Sequence, residues 1–296
     1  MKPQNDLSHK GAAVEEWVDL RFFRPIGIRI ARALEPTGIS AGQVTLWSIL
    51  VGVVAGHLFV YHDPSVNAIG FLLFILSDVF DSADGQLARL RGTSTRFGRA
   101  LDGIGDNVRF VNLYVHLAIR LTLAGGQWHG VLLVALAGLS HSTQSMAVDF
   151  VRNAYLVVGQ GTAGEVDLPE DLPAARRGTL LERFGARVYA DYVQRQRQLF
   201  PRTVHLLRLL RRVDISQSFR AAYRERQQPL LALCSWLGQN IRFALLGVAA
   251  VAGYPSAYLW TEVLVMNLVL FVVLLPIHET NSGALLSSLE PEASAY

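Results

Sequence analysis

Ile69-Gly70-Phe71-Leu72-Leu73-Phe74-Ile75-Leu76-Ser77-Asp78-Val79-Phe80-Asp81-Ser82-Ala83-Asp84-Gly85-Gln86-Leu87-Ala88-Arg89 begins as a membrane span and ends in carboxylates. With their flanks, residues 67–90 reach the ~20 helical residues that cross a hydrocarbon core of ~30 Å. A carboxylate at mid-bilayer costs about 2.5–3.5 kcal/mol even on the lenient insertion scale, so three in one span need compensation. The stretch predicts a membrane helix that carries a site.

The rest of the chain agrees. Its 296 residues are 51% hydrophobic and only 17% charged, with a mean hydropathy of +0.29. Ordinary soluble domains are about one quarter charged, so disorder is excluded and the bilayer is the expected solvent. The single Cys234 excludes an internal disulfide and a thiolate metal cage. The polar first 13 residues show no cleavable signal.

Six segments are long and apolar enough to span, near 43–61, 67–90, 101–124, 130–153, 231–253 and 257–278. The connections after the first, third and fifth contain no Lys or Arg. Basic residues crowd elsewhere: six in residues 1–41, then Arg89, Arg91, Arg96 and Arg99, then fourteen from Arg152 to Arg226. The positive-inside rule therefore puts both termini and both basic loops in the cytoplasm. A net charge of +3 is thus a topological signal rather than a nucleic-acid footprint. Arg120, near an outer end, is expected to snorkel to the interface.

This predicts an all-α polytopic membrane protein in five parts. Residues 1–41 form a cytoplasmic segment with an interfacial amphipathic helix, in which Trp17, Leu20, Phe23, Ile26, Ile30 and Leu34 recur among arginines and Pro25 breaks or kinks the helix. Residues 42–153 carry spans one to four, and 154–229 an Arg-rich, largely helical cytoplasmic insertion suited to an anionic lipid surface. Residues 230–279 carry spans five and six, and 280–296 a cytoplasmic tail.

The third span adds Asp102 and Asp106. At 100° per residue Asp81, Asp84, Gly85 and Ala88 share an arc of about 100°, and Asp102, Asp106 and Arg109 form a second stripe. Counting ~1.5 Å per residue from the outer ends brings the two sets to similar depth. Four carboxylates on facing stripes cannot all stay ionised in low dielectric without cations, and all-oxygen ligation suits Mg²⁺ or Mn²⁺, with two ions the natural resolution. Gly85 and Ala88 leave a bare helix surface that phosphates can approach. Asp78 faces differently from Asp84 and supports the set from outside.

Asp81-x-x-Asp84-Gly85-x-x-Ala88-Arg89, eight residues, then Gly98-x-x-x-Asp102-x-x-x-Asp106 resembles the CDP-alcohol phosphatidyltransferase signature at all eight fixed positions. The likeness extends upstream to Arg24-Pro25 and to residues 38–45, where Ala41-Gly42 replaces the family's Pro-Asn while Thr45 remains. It covers residues 14–125 by motif.

The resemblance implies transfer of a substituted phosphate, phosphatidyl above all, from a CDP-linked lipid or alcohol donor to an alcohol or phosphorylated alcohol, with release of CMP, in phospholipid biosynthesis. Asp81, Asp84, Asp102 and Asp106 would hold two Mg²⁺ or Mn²⁺ ions, and Asp106 would also be the general base. Thr45, Gly85, Ala88, Arg89 and Thr95 would contact the donor. The resemblance also implies a homodimer in a bacterial inner membrane, its site facing the cytoplasm.

For the acceptor, His141, Ser145, Asp149 and Arg152 form a polar stripe on span four. Asp149 and Arg152, with Arg99 and Arg109, are candidates for holding a polar or phosphorylated acceptor, because the Arg fork matches phosphate oxygens; an internal Asp149–Arg152 pair is the plainer reading. Asn240, Arg242, Glu262 and Asn267 are weaker candidates for the same role, with ties between helices as the plainer reading. Two rivals remain. An intramembrane prenyltransferase also uses Asp-rich motifs and metal, but places its two motifs far apart in the chain. A cation transporter would use the same carboxylates, without the inverted repeat expected of one.

Overall fold

The computed structural model describes residues 13–93, 96–161, 166–172, 180–211 and 215–293, without side chains for 96–104, 126–127, 180–182, 184 and 290–293. The described residues are helical, with no strand among them. Five helical stretches are long and apolar enough to cross a membrane: Ala41–Leu58, Pro64–Leu90, Trp128–Gln160, Leu230–Val251 and Pro255–Leu289. The expected third span falls on a 26-residue helix, Arg96–Leu121. That helix is interrupted by Asp106, Arg109 and Arg120, so it does not meet the apolar standard of the other five.

Residues cluster into two compact units, Met1–Ser140 with Gln239–Val263 and His141–Gly238 with Leu264–Tyr296. In the first unit a wide helical turn, Asp19–Phe23, runs directly into α1, Arg24–Leu34. The helix does not break at Pro25: it widens over Asp19–Phe23 immediately before the proline, where the Arg24 amide bonds to the Asp19 carbonyl, and continues through Pro25 into α1. One face of α1 packs on α3. Its buried Ala31 packs with Ala83 and Leu87 of α3, and Gly27 lies against Ser82.

Local chemistry starts the next two helices. Ser40 and Gln43 form a reciprocal capping box that opens α2, Ala41–Leu58. The Asp63 carboxylate accepts from the Ser65 and Val66 amides at the head of α3, Pro64–Leu90. At the other end of α3, Arg91 donates to four backbone carbonyls, those of Leu34, Glu35, Thr37 and Ile39. It thereby supplies partners for carbonyls at and after the end of α1 that the helix cannot satisfy itself. Arg91, expected only as part of a basic loop, is a clamp on the α1–α2 turn.

The helix Arg96–Leu121, α4, packs on α2; α5, Gln127–Ala154, α10, Gln239–Val251, which follows the short α9, Leu230–Trp236, in sequence, and the short α11, Pro255–Trp260, complete the wall around the core. Phe74 stacks between Phe59 and Phe243, with centroids 5.8 and 4.8 Å away, among Leu113, Leu117, Leu133 and Leu246. Arg120 does not snorkel. It is buried, donating to the Phe59 carbonyl and to Asn67 Oδ1, acceptors that offset the desolvation of its charge. Arg242 and Glu262 form a buried ion pair between α10 and the 255–289 helix, the tie expected of them.

The second unit contains the described helices of the expected insertion: α6, Leu180–Leu199; α7, Pro201–Leu210; and α8, Gln217–Gln227. Glu279, on α12 (Leu275–Ala293), accepts from the Arg202 and Thr203 amides and so caps α7. Arg220 and Arg224 of α8 donate to the carbonyls of Val157, Val158 and Gly159. Asp171 is held down to about 2 by its hydrogen bonds from Arg211 and the Leu168 amide. Glu170 is lowered by its bonds from Arg208.

Candidate active site

The last four turns of α3 bring Asp78, Asp81 and Asp84 to the side of the first unit where α2 and α4 meet it. What organises them is Arg109, three residues after Asp106 on α4. Its Nη1 donates to Ser77 Oγ at 2.9 Å and to Asp78 Oδ1 at 3.1 Å, and its Nη2 donates to Asp81 Oδ1 at 3.2 Å and to Asp106 Oδ1. The guanidinium is 2% exposed. Arg109, expected to meet the acceptor, is thus enclosed among the carboxylates and engaged by them, and presents no open fork to an incoming phosphate.

Exposure sorts the acids. Asp81 and Asp106 are 32% and 40% exposed, whereas Asp78 and Asp84 are under one tenth. The accessible carboxylates come from two different helices and converge on one nitrogen. Asp84, one turn further along α3, accepts from the Thr45 hydroxyl of α2 at 2.5 Å. Thr45 therefore stands beside the carboxylate set through Asp84. Asp102 lies on α4 one turn before Asp106, but its side chain is outside the described ones, as is that of Arg99; Thr95 lies outside the described residues altogether.

Three of the positions expected to contact a donor, Gly85, Ala88 and Arg89, are likewise on α3. Among the described side chains, a β-carbon on Gly85 would meet only the Arg89 guanidinium, 3.4 Å away, which puts a cationic head beside this face of the helix. Ala88, a small residue, follows on the same arc and is half-buried. Asp149 and Arg152 of α5 belong to the second unit, where Asp149 accepts from Tyr192 at 2.7 Å and from Asn153 at 3.0 Å. Burial first and Asp149 second raise the Tyr192 phenol well above its usual range.

Some residues that build the site were not singled out in the sequence. Ser48 and Ser77 exchange hydrogen bonds between α2 and α3, and Ser77 and Ser48 both accept from Arg109. Gln239, at the start of α10, donates to Asp78 at 2.9 Å. Gly52 gives the Arg109 stem its path, since a β-carbon there would lie 2.5 Å from Arg109 Cδ and 2.8 Å from Ser77 Oγ. A signal for part of this existed: Thr45, Ser48, Gly52, Ala55 and Gly56 put small residues on one buried face of α2, the pattern that lets membrane helices approach closely.

The donor set suits a hard divalent cation. Among the described side chains no three His, Cys, Asp or Glu close into a ready-made cage. The chemistry is nevertheless all carboxylate oxygen, and Asp78, Asp81 and Asp106 outnumber the one guanidinium between them, an excess of formal negative charge that a divalent ion offsets.

Residues 39–166 match the family model for CDP-alcohol phosphatidyltransferase. Among curated proteins, the chain is 29% identical over 136 residues to the bifunctional IPC transferase and DIPP synthase of Thermococcus kodakarensis, covering 45% of this chain and 30% of that protein. It is 29% identical over 166 residues to the phosphatidylinositol phosphate synthase of Mycobacteroides abscessus, covering 53% of this chain and 70% of that one. It is 24% identical over 139 residues to the archaetidylinositol phosphate synthase of Pyrococcus horikoshii, covering 46% and 70%. The match thus spans about a third of the length of the Thermococcus protein and 54% of an uncharacterised Aquifex aeolicus protein that is 36% identical over 119 residues.

Proposed function

We propose, from the premise that residues 39–166 carry a CDP-alcohol phosphatidyltransferase domain, that this chain transfers a phosphatidyl group from a CDP-linked lipid to a phosphorylated alcohol and releases CMP. The observation that carries the reading is the convergence of Asp81 and Asp106, from α3 and α4, on one nitrogen of Arg109. Both are aspartates of the matched pattern, and both are accessible.

Asp81, Asp84, Asp102 and Asp106 would hold two Mg²⁺ or Mn²⁺ ions, which supply neutralisation of phosphate charge and so make the phosphorus open to attack. The chain's own residues do the rest. Gly85 lets a diphosphate approach the helix backbone, Arg89 beside it binds phosphate oxygen, and Thr45 fixes Asp84 in place. Ala88 and Thr95 border the same donor. Asp106 takes the proton from the acceptor hydroxyl, whose oxygen bonds to phosphorus in line as the bond to the CMP oxygen breaks. Arg99, about one turn before Asp102 on α4, is proposed to meet the acceptor's phosphate.

Six spans belong to the same proposal, with α4 as the sixth, the termini and the 154–229 insertion cytoplasmic, and a homodimer in a bacterial inner membrane. The names of two relatives direct the acceptor test first to inositol phosphate. Purified protein with Mg²⁺ and CDP-diacylglycerol is offered inositol phosphate, glycerol phosphate, serine or myo-inositol. CMP release with the matching lipid product supports the reading. Release of inorganic diphosphate from a prenyl donor, or ion flux independent of CDP compounds, refutes it.

A further inference from the structure

Asp78 is a buried carboxylate on α3 that the eight-position signature does not include. Its Oδ1 accepts from Arg109 Nη1 at 3.1 Å and from Gln239 Nε2 at 2.9 Å. The same guanidinium turns its other terminal nitrogen to Asp81 and Asp106. One fixed positive charge is therefore shared between a carboxylate outside the signature and two inside it.

The charge can neither leave nor be neutralised. An Arg guanidinium does not deprotonate in proteins. Its stem crosses α2 where only Gly52 leaves room, and the side chain is buried on all sides. Whatever cation Asp81 and Asp106 receive must therefore be received in its presence. Two cations on one carboxylate set repel each other, the more strongly where water is excluded.

We propose that Arg109 is a resident counter-cation of the divalent-metal site, and that Asp78, oriented by Gln239, sets how strongly Arg109 competes with metal for Asp81 and Asp106. The inference rests on the metal site of the proposed function. Asp78 and Gln239 are positioning residues that act through Arg109. With Asp78 present, part of the guanidinium's hydrogen bonding and charge is drawn toward Gln239 and away from the accessible acids. Without it, the full charge falls on Asp81 and Asp106. A purely architectural role, tying α3 to α4, predicts instead that these variants lower thermal stability and leave the metal affinity of the folded protein unchanged.

The test is calorimetric titration of MnCl₂ into the detergent-solubilised full chain without substrate, with a melting curve to establish that each variant is folded. Asp78→Asn is expected to weaken Mn²⁺ binding about tenfold, the lower end of what partners outside a metal's ligand shell contribute. Asp78→Glu restores it. Arg109→Gln is expected to tighten binding, and the double variant to bind like Arg109→Gln alone, because Asp78 then has no guanidinium to hold. Should Arg109→Gln fail to fold, Gln239→Leu tests the same relay from its far end, with a smaller loss of affinity expected. An Asp78→Asn affinity within twofold of the parent overturns the proposal, as does an equal Asp78→Asn effect with and without Arg109. Asp81→Ala separates the two readings. If the parent binds Mn²⁺, Asp81→Ala does not, and Asp78→Asn is unchanged, only this inference fails; if the parent binds no Mn²⁺, the metal site fails with it.

Discussion

Arg109 crosses α2 at Gly52, so closely that a single added methyl group would overlap its Cδ at 2.5 Å. Gly52→Ala is therefore a displacement of Arg109 rather than a local change. Overpacking of this kind costs about 1–3 kcal/mol. Gly52→Ala is expected to lower the melting temperature and reduce CMP release, and Gly38→Ala, where no described neighbour lies within 4 Å of the added carbon, to do neither. Equal behaviour of the two variants would remove Gly52 from the site.

Asp106→Asn is expected to lower turnover about 10²–10⁴-fold, the usual worth of a general base, while leaving Mn²⁺ binding largely in place. The assay is CMP release beside calorimetry on the same preparation. Near-normal turnover in the variant refutes the assignment of the base.

Asp81→Ala is expected to abolish metal-dependent binding of the CDP-linked donor. Titrating donor with and without Mg²⁺ shows it: the parent gains affinity with the ion, the variant does not. A metal response retained in the variant would move the ion elsewhere.

Thr45→Val removes the 2.5 Å hydrogen bond to Asp84 while keeping the side chain's shape. Metal affinity should fall about 10-fold or more, as it does when a ligand loses the partner that orients it. Thr45→Ser should retain most of it. An unchanged affinity in Thr45→Val would leave the hydroxyl with the donor alone.

The Asp171–Arg211 pair gives a pH dependence in the second unit. Asp171 is held at about 2, below its ordinary 3.8, so its contribution to folding is complete above 3.8 and is lost as pH falls toward 2. The protection factor of the amides around Leu168, with intrinsic exchange divided out, should stay constant near neutral pH and fall across that window. In Arg211→Gln the change should begin at higher pH. A flat profile in the parent would mean that the pair does not hold the segment.

The neighbourhood of Asp81, Asp84 and Asp106 was legible because helical phase and depth follow from spacing along a single helix; the Asp102 side chain lies outside the described ones. Arg109 was legible as a neighbour of Asp106 but not in its partners, since spacing does not fix how α4 is rotated against α2. Gln239 lies 161 positions from Asp78, beyond any local pattern. Arg120 misled for a related reason: its acceptors, Phe59 and Asn67, come from other helices, and a lone arginine near a helix end reads as a snorkelling one. Pro25 was legible as a disturbance of the helix but not in its form, a widened turn over Asp19–Phe23 with no break after it.

The ion partners of α4 also bear on how the chain is made. Asp78, Asp81, Phe59 and Asn67, which receive Arg109 and Arg120, all precede α4 in the sequence. A ribosome therefore delivers the acceptors before the arginines that need them. For the span proposed at Arg96–Leu121, third in chain order and carrying Asp106, Arg109 and Arg120, this order lets the helix enter the bilayer against neighbours already in place. Its passage out of the translocon becomes a docking event rather than a solitary transfer into lipid.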